Sequence, residues 1–349
     1  GMESAHAARA ERTARTRSWY RRMVRPWMLP DGRADWIPWA LGRAGALLAS
    51  RRHDLLFTFG FPFTCHVVGL ALHRGQPLPW VAHNGDVWSF QPGNDLPGWR
   101  RAVDHRIEGA VLRRATRLIV NTTATAEAYA TRFPGIPRER FVAIPTGYES
   151  ELYAGPEADA GSRFRLVYTG AIAEGSGAGR ALLEALALLC SRGVRDVECV
   201  VAGEVPHSLR LRAQQLGLDG VLQFRGFQSA TAVARLQKGA AALVVFGMTG
   251  GLQVACKLLE YLAARRPVLA IATEEADVAA REVRRLRRGL VAAQAPEEIA
   301  AAISRLREEW RQGTLERAFD LSGIPALAWD EVEQRFLEVV EAARRECHV

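Results

Sequence analysis

The sequence predicts an α/β protein that consists of two units with parallel sheets. From residue 54 onward, short β-rich runs alternate with stretches of helical spacing, the pattern of parallel α/β architecture. The strand-like runs of the second half are almost entirely apolar, as strands covered on both faces must be. Between the two series, residues 149–162 are polar and rich in Gly, Ala and Pro, which predicts a linker.

The first unit is predicted over residues 17–148. Helical spacing is found over residues 104–115 and 124–132. The strands are predicted, in chain order, at residues 54–60, 80–82, 117–121 and 141–145.

The second unit is predicted over residues 163–325. Residues 326–345 follow as a C-terminal segment, and apolar spacing predicts an amphipathic helix over 329–345 that packs back toward the first domain. The strands of the second unit are predicted at residues 165–169, 198–202, 222–225, 242–246 and 268–271, with a weak one near Leu290.

Composition predicts a soluble protein in a reducing compartment. Hydrophobic residues make up 48% of the 349 residues and charged residues 24%, and no run of about 18 apolar residues suggests a membrane span. The N-terminus lacks the layout of a signal peptide. Five scattered cysteines without CxxC spacing argue against a disulfide framework or a zinc site, and favour the cytoplasm. They are Cys65, Cys190, Cys199, Cys256 and Cys347.

The net charge of +8 comes almost wholly from arginine, since Lys238 and Lys257 are the only lysines. A basic surface suits a polyanion, an anionic bilayer or a phosphorylated substrate equally well. The segment Arg17–Leu29 mixes arginines with Trp, Tyr and Met. It can rest on an anionic membrane surface, and the protein would then lie at the inner face of the membrane. Alternatively, the segment packs on the domain or on a partner.

A glycine-rich turn follows the strand at residues 165–169. Gly170 ends the strand, and Gly175, Gly177 and Gly179 precede an apolar helical stretch. Glycines let the main chain approach a diphosphate, and a helix N-terminus offers free N–H groups to its charge. A plain flexible loop is the alternative. A dinucleotide fingerprint fits poorly, because its first glycine would stand too far from the strand.

The segment 246–270 is the most informative, because its pattern predicts a strand, a glycine-rich loop, a helix, a turn and a strand. Thr249, Gly250 and Gly251 stand just before a helix predicted over residues 252–264, so their amides can hold an anion. Lys257 and Glu260 share one face of that helix. A carboxylate can accept two hydrogen bonds from a ribose diol, and an ammonium can neutralise a phosphate. The alternative is an ordinary surface ion pair.

Two polar residues of the first unit are candidates for catalysis. His83 and Asp86 are predicted just beyond the carboxyl end of a strand, where α/β sheets place ligands. His83 can orient a sugar hydroxyl or stabilise charge, and Asp86 can bind an acceptor; as alternatives, His83 is a polar turn residue and Asp86 caps the following turn. His66 and Cys65 are predicted to be packing residues.

At these residues the chain resembles the retaining glycosyltransferases of family 4, which have the GT-B fold. The resemblance covers about residues 30–345. It is carried by KLLEYLAARRPVLA (257–270), LVYTG (166–170), ALLEAL (181–186), VVAG (200–203) and FRGF (224–227), with WVAHNGDVW (80–88) and residues 117–148 in the first half.

The resemblance implies two Rossmann-like domains facing a cleft, the second of which binds the donor. It implies transfer of a sugar from an NDP-sugar to a small-molecule, glycan or lipid-linked acceptor, with no metal or other cofactor. Glu260 would hold the ribose, the Gly250–Leu252 amides would face the sugar and phosphate, and the Gly226–Gln228 backbone would line the base. The donor-binding residues predicted altogether are Gly170, Gly226, Phe227, Gln228, Thr249, Gly250, Gly251, Leu252, Lys257 and Glu260.

The chain departs from the family pattern in three donor-site positions. Leu252 stands where the family has a glutamate, Ala171 where it has an arginine, and Ser176 or Gly177 where it has a lysine. We therefore expect Lys257 to supply the missing positive charge. Nothing before residue 17 has the character of the family's opening strand and glycine-rich loop, so we expect about the first quarter of the N-terminal domain to be absent.

These departures leave a second function open. The chain is either an active glycosyltransferase or a catalytically impaired GT-B homologue that binds a nucleotide-sugar or acts as a partner subunit. A homodimer is compatible with both. An NAD-dependent oxidoreductase lacks its fingerprint, and no recognisable module predicts nucleic-acid binding.

Overall fold

The computed structural model describes residues 27–92, 96–155, 161–275 and 277–346. These residues form two compact units. The first comprises the residues up to Ile144 together with those from Arg335 onward, and the second is Pro145–Gln334. Each unit contains one parallel sheet with helices between its strands, so the predicted α/β class with two Rossmann-like halves is confirmed.

The first unit has a four-stranded parallel sheet whose strands follow the order of the chain, β1-β2-β3-β4. Its strands are largely buried and apolar, with Trp80 and Tyr129 among the core residues that are completely buried. The elements are α1 (Ile37–Ser50), β1 (Leu56–Gly60), α2 (Thr64–Gly75), β2 (Trp80–Asn84), α3 (Gly98–Arg114), β3 (Arg117–Val120), α4 (Thr123–Arg132) and β4 (Phe141–Ala143).

The second unit has a six-stranded parallel sheet. Its first elements are α5 (Ser150–Tyr153), β5 (Phe164–Thr169), α6 (Gly177–Ser191), β6 (Val197–Ala202), α7 (His207–Gln215), β7 (Leu222–Gly226), α8 (Ala230–Lys238) and β8 (Ala242–Phe246). The remaining elements are α9 (Lys257–Ala263), β9 (Val268–Ala272), α10 (Val278–Arg285), β10 (Gly289–Ala293), α11 (Pro296–Arg311), α12 (Leu315–Ala318) and α13 (Trp329–Glu346).

The strand order of this second sheet is β10-β9-β8-β5-β6-β7. The chain therefore builds outward from β5 through β6 and β7, and then returns to the other side of β5 with β8. Between β5 and β8 the direction of winding reverses. In open parallel sheets such a reversal leaves a crevice beyond the carboxyl ends of the two strands, where ligands bind.

The helix α13 belongs to both units. It begins among residues of the second unit and continues among those of the first. In the first unit, the Phe336 ring lies 5.5 Å from that of Phe57 on β1, and Glu346 pairs with Arg117 on β3. The amphipathic helix predicted over residues 329–345 is confirmed.

Strand positions agree with the sequence predictions better than helix starts do. The predicted strands are all present, including the weak one near Leu290, which is β10. The prediction that His83 lies beyond its strand is wrong, because β2 extends through His83 to Asn84. The predicted helix over residues 252–264 is also wrong at its start, since α9 begins at Lys257. No helix within the described ranges is long and apolar enough to span a bilayer.

A chain of buried hydrogen bonds crosses the core of the first unit. Thr58 Oγ1 and the Nδ1 atom of His66 are 2.7 Å apart, and Nε2 of His66 is 2.7 Å from Asn84 Oδ1. The Asn84 amide donates to Tyr129 OH at 2.7 Å, and that hydroxyl donates to Glu108 Oε1 at 2.7 Å. His66 is thus a packing residue, as predicted, but a hydrogen-bonded one.

Glu108 ends this chain with both carboxylate oxygens in use. Its Oε2 atom accepts a hydrogen bond from the Ser89 amide at 3.2 Å, in the loop after β2. Burial raises the pKa of Glu108 to about 7, although these hydrogen bonds oppose the shift. Burial likewise lowers the pKa of His66 to about 4. Both side chains are therefore largely uncharged near pH 6, as buried groups without ionic partners require.

The raised pKa of Glu108 predicts a pH-dependent stability. The folded state favours the protonated carboxyl, so the stabilisation is complete below about pH 4.5 and is lost as the pH rises through 7. Glu108→Gln removes this titration. We expect the variant to gain about 3 kcal/mol relative to the unmodified protein between pH 4.5 and pH 8, since one pKa unit corresponds to about 1.4 kcal/mol.

Urea unfolding followed by tryptophan fluorescence across this pH range measures the difference. His66 titrates in both proteins, so its effect cancels. Glu127→Gln is the matched control, because Glu127 is exposed and pairs with Arg138. A constant difference between Glu108→Gln and the unmodified protein from pH 4.5 to pH 8 contradicts the assignment.

Candidate functional site

Two glycines bring the main chain together at the carboxyl ends of β5 and β6. Gly170 has a φ of +120° and Gly203 a φ of +145°, backbone conformations that favour glycine. A Cβ atom on Gly203 would lie 2.2 Å from the Gly170 carbonyl oxygen, and one on Gly170 would lie 2.7 Å from Nζ of Lys257. The Lys257 ammonium therefore lies directly against the turn after β5.

Lys257, the first residue of α9, is held by an aromatic side chain of β5. Its Nζ donates to Tyr168 OH at 2.7 Å and lies 4.3 Å from the centre of that ring, which stacks at 4.4 Å on Phe246 at the end of β8. Burial lowers the pKa of Lys257 to about 8, while the negative charge of Glu260 opposes the shift. The ammonium is thus a poorly hydrated positive charge at the reversal point of the sheet.

Glu260 lies one turn further along α9 and is oriented by Gln237 on α8. The Gln237 amide donates 2.9 Å hydrogen bonds both to Glu260 Oε2 and to Thr169 Oγ1, at the end of β5. Its own Oε1 accepts from Tyr153 OH at 2.5 Å, so that the completely buried amide has partners on both sides. Within the described part of the chain, Glu260 Oε1 accepts no hydrogen bond, and the residue is half-buried.

Lys257 and Glu260 do not form a simple surface ion pair. The ammonium bonds to Tyr168 and the carboxylate to Gln237, and both side chains are half-buried. The structure therefore brings Gly170, Lys257 and Glu260 together at the carboxyl ends of β5 and β8, where the sheet reverses. Gln237 could not be recognised from the sequence, because a glutamine on an amphipathic helix is normally exposed to solvent.

The loop before α9 differs from its prediction. Thr249, Gly250 and Gly251 do not precede a helix N-terminus, since five further residues separate Gly251 from α9. The Gly250 amide donates to Glu274 Oε1 at 2.6 Å, and the Gly251 carbonyl accepts from Arg281 at 3.2 Å. The prediction that Thr249, Gly250 and Gly251 lie at a helix N-terminus is therefore wrong. A contact of the Gly250–Leu252 amides with the donor stays a prediction.

The other predicted donor-binding segments lie at the ends of neighbouring elements. In the turn after β5, Ser176 caps α6 by accepting a 3.1 Å hydrogen bond from the Gly179 amide. Gly226 ends β7, which is an edge strand, with a φ of +64°. The next residue, Phe227, is 93% exposed, and the Gln228 side chain closes the turn by donating to the Arg225 carbonyl at 2.7 Å. Their contacts with a donor stay a prediction.

The two candidates of the first unit occupy different environments. His83 lies in β2, its ring contacts Phe59 at 4.8 Å, and Nε2 is 3.4 Å from Asn121 Oδ1. Burial lowers its pKa, so the imidazole is neutral near pH 7. Asp86 is exposed in the loop that follows β2. Their catalytic roles stay predictions.

Part of the predicted membrane-contacting segment lies outside the described residues. These are residues 17–26, and Cys347 also lies outside. Of the remainder, Trp27 is 74% exposed, with its ring 5.1 Å from that of Trp99. Among the described residues, no group of three or more His, Cys, Asp or Glu side chains is arranged to hold a metal ion.

Two family models match the chain, one over each half. The model described as Glycosyltransferase Family 4 matches residues 4–152, and the model described as Glycosyl transferases group 1 matches residues 163–309. Together they cover both sheets. No curated protein matches the chain significantly.

Solved structures share the fold at low sequence identity. HepE (Alr3699) from Anabaena, solved in complex with UDP, is 18% identical with a TM-score of 0.69, over 86% of this chain and 81% of HepE. Sucrose-phosphate synthase from Thermosynechococcus elongatus is 18% identical with a TM-score of 0.65, over 89% and 79%. A glycosyltransferase from Rickettsia africae is 13% identical with a TM-score of 0.64, over 88% and 81%.

The close approach of Gly203 to Gly170 predicts an unusually damaging substitution. Gly203→Ala drives a methyl group into a main-chain carbonyl that cannot move without displacing β5, so we expect a loss of roughly 3 kcal/mol or more. Gly193→Ala is the control. Gly193 also has a positive φ, +81°, but a Cβ there meets open space, and we expect a loss of about 1 kcal/mol. Thermal unfolding compares the two, and equal losses refute the steric explanation.

Proposed function

The chain is a GT-B glycosyltransferase with the paired domains of the family 4 and group 1 enzymes, and we propose that it takes its sugar from a UDP-sugar without a metal and with retention of configuration. The donor part of the proposal rests on one observation. Glu260 and Lys257 lie together at the point where the sheet of the second unit reverses. Retention rests on the resemblance to family 4.

Glu260 is proposed to bind the donor ribose. Gln237 holds one carboxylate oxygen at 2.9 Å and thereby turns the carboxylate in a fixed direction, while Oε1 has no partner among the described residues. A carboxylate accepts hydrogen bonds from two vicinal hydroxyl groups, and such charge-assisted bonds are worth about 1.5–3 kcal/mol each. A rigid carboxylate binds a diol at a lower entropic cost than a mobile one.

Lys257 is proposed to neutralise the diphosphate. Its Nζ lies at the turn after β5, beside Gly170, where the main chain carries no side chain that would keep a phosphate away. The positions at which the family has basic residues are Ala171 and Ser176 or Gly177, so Lys257 supplies positive charge that this chain otherwise lacks there. A fixed ammonium stabilises the departing diphosphate as a divalent metal does in other enzymes, which supports a metal-independent reaction.

Uracil is proposed as the base of the donor because HepE, which shares the fold over most of both chains, was solved with UDP. The acceptor side is assigned to the first unit. There the neutral imidazole of His83 can accept a hydrogen bond from a sugar hydroxyl or donate one to it, and Asp86 is open to solvent on the following loop. The acceptor is proposed to be a small molecule, a glycan or a lipid-linked sugar.

A second candidate function is a UDP-sugar-binding partner subunit with impaired catalysis. Ala171 and Ser176 favour it. They stand where the family has basic residues, so two positive charges that would face the donor diphosphate are missing. Such a subunit retains nucleotide binding but transfers no sugar by itself. Measured transfer from a UDP-sugar by the purified chain excludes it.

The first test is a thermal-shift comparison of UDP, GDP, dTDP, ADP and NAD, with and without EDTA. At about 100 times its dissociation constant a ligand adds roughly 2.7 kcal/mol, which is a shift of a few degrees. We expect stabilisation by UDP that EDTA leaves unchanged, and roughly tenfold or greater weakening in Glu260→Gln, which loses the charge of the carboxylate. Glu282→Gln, which removes an exposed ion pair with Arg285, should bind UDP normally. No shift with any nucleotide refutes the donor site.

The second test separates the phosphate contact from the ribose contact. Lys257→Met should lower the affinity for UDP by roughly tenfold and leave that for uridine nearly unchanged. Because the pKa of Lys257 is lowered to about 8, UDP affinity should fall as the pH rises through 8, and this fall should vanish in the variant. Lys238→Met, at the only other lysine, is the control. Equal losses for UDP and uridine contradict a phosphate contact.

A further inference from the structure

The helix α1 of the first unit presents tryptophans to solvent. Trp36, which immediately precedes it, is 51% exposed and Trp39 is 80% exposed, while Leu47 on a later turn is 36% exposed. The sequence spacing from 36 to 39, 43 and 47 puts these residues and Arg43 along one side of the helix. Large apolar side chains aligned in this way are uncommon on the surface of a monomeric protein.

A neighbouring side of α1 packs on the first unit. Ala40 is buried, Leu41, Ala44 and Leu48 are half-buried, and the helix contacts α2. The apolar residues on this side of the helix therefore pack within the first unit. It leaves the two tryptophans without a role in the core of their own unit.

The charge along this surface is positive. The sequence from residue 36 to residue 53 has no acidic residue, whereas Arg43, Arg51 and Arg52 are exposed. Two acids flank this stretch, Asp35 before it and Asp54 after it, and Asp54 lies 3.8 Å from Arg52. Arg43 and Arg51 therefore face no acidic residue of the helix itself. Residues 1–26, which lie outside the described part of the chain, contain seven arginines and two glutamates.

We propose that α1 docks on an anionic lipid bilayer, with Trp36 and Trp39 at the level of the headgroups and the arginines on lipid phosphates. Tryptophan favours this zone because its ring is apolar and its N–H is polar. Each arginine near an anionic bilayer adds to the attraction. With 14 residues, α1 is too short to span the membrane, so it lies in the plane of the interface.

This docking surface is independent of the proposed donor site. It lies in the first unit, whereas Lys257 and Glu260 lie in the second. It gives a glycosyltransferase a physical means of reaching an acceptor that is anchored in a bilayer. Failure of vesicle binding therefore leaves the nucleotide assignments untouched, and failure of nucleotide binding leaves the docking surface untouched.

The test is co-sedimentation of the full chain with vesicles of phosphatidylcholine alone and of phosphatidylcholine mixed with phosphatidylglycerol. We expect binding only to the anionic vesicles and weaker binding in high salt. The double variant Trp36→Ser, Trp39→Ser should bind at least roughly tenfold more weakly, and the double variant Arg43→Gln, Arg51→Gln should also bind more weakly.

Two matched variants control for general loss of apolar surface and of charge. Leu211→Ser with Met248→Ser removes two exposed apolar side chains of the second unit, and Arg192→Gln with Arg235→Gln removes two of its exposed charges. Both should sediment like the unmodified chain. Circular dichroism of all variants checks that they are folded.

Two outcomes overturn the proposal. One is the absence of binding to anionic vesicles, or binding that the tryptophan variant retains in full. The other is a dimer in size-exclusion chromatography that becomes a monomer in the Trp36→Ser, Trp39→Ser variant, which would make this surface an interface between two copies of the chain.

Discussion

The second unit depends on the close approach of the main chain at Gly170 and Gly203. Because Gly203 has no Cβ atom, the ends of β5 and β6 can approach to a distance at which a side chain on Gly203 would overlap the Gly170 carbonyl. The same lack of a side chain at Gly170 leaves room for the Lys257 ammonium. The lack of side chains at these two glycines therefore determines both the geometry of the strand ends and the position of the Lys257 ammonium.

The two units use buried amides in similar ways and carboxylates in different ways. Asn84 in the first unit and Gln237 in the second each link side chains from separate elements. The chain of bonds in the first unit ends at Glu108, which is completely buried and uses both oxygens. That in the second ends at Glu260, which is half-buried and uses one. A carboxylate with both oxygens occupied stabilises its own fold, whereas one held by a single oxygen can also bind a ligand.

The accuracy of the sequence predictions follows from how local each interaction is. Strands such as β5 and β8 were predicted correctly because continuous apolar runs reflect burial on both faces. It could be predicted that Lys257 and Glu260 share one helix face, because a spacing of three residues on a helix is a local property. The start of α9 was predicted wrongly because contacts from Glu274 and Arg281 hold the preceding loop outside the helix. Gln237 was missed because its partners Tyr153, Thr169 and Glu260 lie 84, 68 and 23 residues away in the sequence.

The position of α13 has a consequence for the order in which the protein is made. The ribosome synthesises the sheet of the first unit early, but Phe336 and Glu346, which contact β1 and β3, emerge only after the whole second unit. At the usual rates of translation, about 5–20 residues per second, that delay is on the order of ten seconds or more. During this interval Phe57 of β1 and His83 of β2 lack the Phe336 ring that later lies beside them. Nascent chains paused in the second unit should therefore be the form that chaperones recognise.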